Sequence, residues 1–129
     1  MMKKGLIILI LFFTITINYG QTIRNAEQIN ASDTLEKTEI LGNVEDYIRK
    51  ETIGGKLDYN KLLEKENGDL FLYDGIIYNK KDFAIFLWGK KIKSIGISSI
   101  KKATSLWEEI NKRKLTKPEM KALMKGIGN

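Results

Sequence analysis

Cysteine and histidine are both absent from the 129 residues, and proline occurs once. Without cysteine the chain forms no disulfide, builds no thiolate metal site and cannot take the lipid that anchors a lipoprotein. Without histidine it has no Ser-His or Cys-His nucleophile pair, no imidazole ligand for zinc and no imidazole acid-base catalyst. Carboxylates, lysines, tyrosines and hydroxyls are the chemistry that remains. Neither the Asp-x-Asp-x-Asp spacing of a calcium loop nor a glycine-rich phosphate loop is present. No residue is therefore assigned a catalytic, cofactor-binding or metal-binding role, and no cofactor is expected.

The amino end is the most informative stretch. Lys3 and Lys4 precede an apolar run from Gly5 to Ile17, and Asn18-Tyr19-Gly20-Gln21 follows it. Charge, apolar run and small-residue exit are the parts of a bacterial-type signal peptide, with Gly20 as the small residue before the cut. The run is shorter than the roughly 20 residues that span a bilayer core, which favours cleavage over an amino-terminal membrane anchor, the alternative. Residues 1–20 are thus expected to be a signal peptide and the protein to be periplasmic or secreted. The 109 residues that follow suffice for one domain but not for two with separate cores, and that domain must fold on packing alone.

Charge is unevenly placed. Residues 21–75 carry 7 basic and 12 acidic side chains, residues 76–129 carry 13 and 4. The two halves should attract each other or present unlike surfaces.

From Gln21 to Gly42 the apolar residues are too scattered for a stripe, and a flexible polar segment is expected there, ahead of a single small domain over residues 43–129. Asn30-Ala31-Ser32 fits a eukaryotic glycosylation pattern too short to carry weight. Asn43 and Asp58 are cap residues for two short helices, which end near Gly54-Gly55 and Asn67-Gly68. Leu70 to Tyr73 and Ile76 to Tyr78 flank Asp74-Gly75, a dipeptide that tolerates the positive φ angles of a tight hairpin turn. Asn79 and Asp82 then cap a segment running to about Ser94. Its run from Phe83 to Trp88 suits a buried strand as well as a helix, and the caps and length favour helix.

A further helix starts at Ser98 or Ser99, with Ile100, Ala103, Leu106, Trp107 and Ile110 on its inner face and Glu108–Lys112 and Glu109–Arg113 pairs outside. Thr116-Lys117-Pro118-Glu119 is a capping box with the lone proline in the first turn. It opens a helix with Met120, Leu123, Met124 and Ile127 along one side, expected to fray at Gly126 and Gly128. The fold class expected is α+β and mostly helical, about five helices with one β-hairpin packed on them.

Four features are candidates for function. Lys117, Lys121 and Lys125 beside the apolar stripe resemble a helix lying on an anionic membrane, although a helix docked on a core has the same pattern. The clusters Lys80-Lys81, Lys90-Lys91-Lys93, Lys101-Lys102 and Lys112-Arg113-Lys114 suit a phosphate-rich partner or a solvated face; export argues against nucleic acid. Tyr73, Tyr78, Trp88 and Trp107 suit sugar stacking or a core. Asp58, Asp69 and Asp74, with Glu66, are the carboxylates a small cell-wall hydrolase would use, and also ordinary turn and cap residues. The favoured expectation is a non-enzymatic envelope or secreted interaction module, whose partner is an envelope protein or glycan, with weak anionic membrane contact as a further route. The alternatives are the carboxylate-dependent hydrolase and a membrane-surface effector acting through the basic carboxy-terminal helix.

Overall fold

The computed structural model describes residues 14–16, 22–29 and 43–128. Strands β1 (Thr14–Thr16) and β2 (Thr22–Asn25) are followed by helices α1 (Val44–Glu51) and α2 (Tyr59–Glu64), the hairpin β3 (Leu70–Tyr73) and β4 (Ile76–Asn79), and helices α3 (Lys80–Ser94), α4 (Ile100–Asn111) and α5 (Lys117–Gly128). The fold is α+β and mostly helical, as the sequence pattern predicts.

Local chemistry sets the element ends. The Asn43 side chain accepts the Glu45 amide at 2.8 Å, Asp58 that of Lys61 at 3.1 Å and Asn79 that of Asp82 at 2.7 Å. Ser99, rather than Ser98, caps α4 through the Lys102 amide at 3.2 Å. Asp74 and Gly75 have φ of 50° and 75°, the positive pair that a type I′ turn requires. The segment Phe83 to Trp88 is helical and buried on every side, so α3 is the central helix.

The hairpin is not isolated. In the strand order β1-β2-β3-β4, β2 runs parallel to β3 with Arg24 opposite Phe71, and β1 is antiparallel to β2. The Ala26 amide extends the ladder by donating to the Leu72 carbonyl at 2.8 Å, and Ala26 and Ile29 join the core. Residues 22–26 and Ile29, expected in a flexible segment, are thus paired with the sheet or packed in the core. A parallel partner lies 47 residues away in the chain and leaves no local signature. The rest of that segment, the Asn30-Ala31-Ser32 pattern and all of the expected signal peptide except Thr14–Thr16 lie outside the described residues. No helix among the described residues is long and apolar enough to cross a membrane.

Register puts Phe71 opposite Tyr78 and Tyr73 opposite Ile76, so these four share the sheet face turned to α3. There Phe71 stacks on Phe83 at 5.3 Å, and Tyr73 and Tyr78 tilt against Phe86 at 4.9 and 5.3 Å. Offset and tilted aromatic pairs add about 0.5–1.5 kcal/mol each beyond area burial. On another side of α3, Gly89 and Gly126 let α5 approach so closely that a Cβ at Gly126 would overlap the Phe86 carbonyl oxygen. The expected fraying at Gly126 does not occur. The position is buried and the helix runs on to Gly128, because the bare Cα is what the crossing needs.

Candidate functional site

Hairpin and α5 both rest on α3, and between them lies a groove of about 730 Å³. Phe86 from α3, only 1 % exposed, lies at its floor, with Tyr78 and Ile76 of β4 on one wall. Lys121, Met124 and Lys125 of α5 form the other, and Asp74 stands at the hairpin-turn end. The volume falls within the roughly 300–1,000 Å³ of small-ligand sites.

Helical spacing explains the α5 wall. Leu123 and Ile127 point into the core at 0 % and 4 % exposure, which turns Lys121, Met124 and Lys125 outward. Met124, expected on the buried stripe, is 46 % exposed. No hydrogen bond or ion pair with a described residue engages Lys121 or Lys125. Burial pushes the Tyr78 hydroxyl above its ordinary pKa, and the nearby Asp74 carboxylate pushes the same way, so the hydroxyl stays neutral. The Asp74 amide in turn donates to Glu27 Oε1 at 3.1 Å, which gathers acidic charge at that end.

The other lysines of the basic clusters have varied surroundings. Lys90 Nζ meets the Tyr73 hydroxyl at 2.5 Å and lies over its ring, Lys102 pairs with Glu45 at 3.0 Å and Lys91 is buried. The Glu45–Lys102 contact joins the acidic half of the chain to the basic half, whereas Arg49–Glu109, at 2.6 Å, runs with the signs reversed.

The carboxylates proposed from sequence do not converge. Both oxygens of Asp58 are engaged, one by Lys61 N and one by the Gly54 amide at 2.7 Å. Asp58 lines a second groove of about 350 Å³ beside Trp88 and Trp107, Asp74 lines the first, and Asp69 lines neither. Among the described residues no group of three acidic side chains is placed to hold a metal ion. Both tryptophans sit in the core, at 3 % and 6 % exposure. The Trp88 indole N–H donates to Thr52 Oγ1 at 3.0 Å, and that hydroxyl donates to the Ile48 carbonyl at 2.6 Å.

In one polar cluster the sequence pattern holds the capping box but not its arginine partner. Arg113, expected to pair with Glu109, instead forks onto Glu119 at 2.8 and 2.7 Å and lies over the Trp107 ring at 4.7 Å. Glu119 is 2 % exposed, and its capping box is complete: it accepts the Thr116 amide at 2.8 Å while Thr116 Oγ1 accepts its own amide at 3.3 Å. The Arg113 guanidinium and these bonds outweigh burial and hold the Glu119 carboxyl down to about 2. Glu108, expected to pair with Lys112, accepts the Leu115 amide at 2.9 Å and so secures the turn into α5.

Comparison with protein-family models, with curated proteins and with solved structures finds no match to this chain.

Proposed function

We propose that the chain is an exported, non-enzymatic interaction module whose ligand surface is the groove between the hairpin and α5. The observation that carries this reading is the pairing of an apolar floor with an outward wall of Lys121, Met124 and Lys125 on the last helix. Met124 leaves nearly half of its surface to solvent between two lysines, and concave apolar surface bordered by a few polar groups is the usual form of a binding site. Asp58, Asp69 and Asp74 do not share a groove, which favours binding over a hydrolase built on that set.

Export is tested by amino-terminal sequencing of the protein recovered from producing cells, with Gln21 expected first. Retention of residues 1–20 in a membrane fraction would favour an anchored form. The groove is tested by placing a photoreactive residue at Met124 or at Ile77, a second exposed apolar position on the opposite face of β4. Adducts should form in cells from position 124 and not from 77. Equal labelling, or none, would overturn the assignment. Turnover of a cell-wall glycan or peptide that is abolished by alanine at Asp58, Asp69 or Asp74 would replace it with the hydrolase reading.

A further inference from the structure

We propose that the edge of β2 covered by β1 in the full-length chain pairs with the β2 edge of a second copy once the signal peptide is removed; this rests on cleavage after Gly20. In the structure β1 lies antiparallel on β2, with Thr14 opposite Arg24, Ile15 opposite Ile23 and Thr16 opposite Thr22. The expected cut falls between the two strands in sequence. Export therefore takes β1 away and leaves Thr22–Asn25 as an edge strand close to the new amino end.

The hydrogen-bonding groups of that edge point outward. Toward β3, the Thr22 carbonyl accepts the Asp69 amide at 3.0 Å and the Ala26 amide donates to the Leu72 carbonyl at 2.8 Å. Main-chain groups alternate in direction along a strand, so the N–H and C=O of Ile23 and Asn25 point to the other side, where β1 lies. Without β1 that side of β2 presents unpaired donors and acceptors, a template for another extended chain.

The strand that leaves identifies the strand that replaces it. β1 reads Thr14-Ile15-Thr16 and β2 reads Thr22-Ile23-Arg24, the same first two residues in the same order. A second β2 set antiparallel about Ile23 puts Ile23 against Ile23, where Ile15 stands now, and Thr22 against Arg24, where Thr14 stands now. Pairing centred on one residue is self-complementary, so it closes as a two-fold dimer and does not grow into a filament. Each Arg24 then lies across the ladder from a threonine, not from its own copy, and keeps its pairing with Glu66 at 3.0 Å. Register also places Ile23 beside Leu70 on the sheet face turned away from α3, where Leu72 and the exposed Ile77 stand. The dimer thus joins two aliphatic sheet faces into one.

The test is analytical sedimentation of the mature chain recovered from producing cells, its amino end sequenced first. Pairing over so few residues covers less than the roughly 1,200 Å² of a standard interface, so a monomer–dimer equilibrium that shifts with concentration is expected. Ile23→Pro removes the main-chain bonds across the two-fold axis and none to β3, and should weaken the dimer about tenfold or more. Ile23→Lys and Ile23→Glu should each be monomeric alone and should dimerise when mixed, because position 23 meets itself and the opposite charges then face each other. Ile77→Lys, at the far edge of the sheet, should leave the dimer unchanged, and all four variants should keep parental melting curves. A chain that begins at Gln21 and stays monomeric at every concentration, a dimer indifferent to Ile23→Pro, or lysine and glutamate variants that ignore each other would each overturn the pairing while the export reading stands. Recovery of a chain that keeps residues 1–20 overturns both.

Discussion

The backbone of Gly126 lies directly against the carbonyl oxygen of Phe86, with no room for a side chain between α5 and α3. The residue whose carbonyl meets α5 is also the one whose ring floors the groove, so the helix crossing and the groove share one residue. Gly126→Ala is expected to destabilise the domain by about 1–3 kcal/mol through overpacking. Gly128→Ala, with nothing within 4 Å of the added methyl, should stay within about 0.5 kcal/mol of the parent. Thermal melts of the two variants check the difference: a drop of several degrees for the first and little for the second.

Stability should fall in acid partly through Glu119. Its folded pKa of about 2 lies below the ordinary value of 4.5, so the charged form is favoured by folding. That contribution, up to about 3 kcal/mol, is fully present above pH 4.5 and is lost as pH falls toward 2. Glu119→Gln should be markedly less stable than the parent at pH 7, with the gap narrowing as pH drops from 4.5 to 2. Urea titrations at pH 7, 4 and 3 measure it, and a gap constant with pH would disprove the assignment.

Thr52→Val should cost about 1–3 kcal/mol, because it leaves the Trp88 indole N–H buried without its acceptor. In a Trp88→Phe background the same change should cost much less, since the donor is gone. A double-mutant cycle by denaturant unfolding reads the coupling directly.

Trp107→Ala should cost about 3–5 kcal/mol, close to the whole stability of a small domain. The ring is 6 % exposed and also carries the Arg113 guanidinium, so its loss loosens the hold on Glu119. Loss of a cooperative melt at 37 °C is the expected result, and a melt like the parent's would refute the assignment.

What was legible in the sequence had partners within a few residues. Asn43, Asp58, Asn79 and Ser99 cap helices whose amides lie two or three positions on, and Thr116 and Glu119 cap each other. Asp74-Gly75 supplies its turn because the φ angles belong to those two residues alone. The composition excluded disulfide, thiolate and imidazole chemistry outright.

Tertiary structure decided everything that depends on which elements meet. Gly126 reads as a helix breaker until α3 is set against it, and Arg113 reads as a partner of Glu109 until the chain turns and brings Glu119 closer. Met124 belongs to the same sequence stripe as Leu123, yet a rotation of 100° about the helix axis sends one to the groove and the other to the core. The pairing of β2 with β3 and the trough between hairpin and α5 likewise arise from distant segments brought together, and local periodicity holds no record of such pairings.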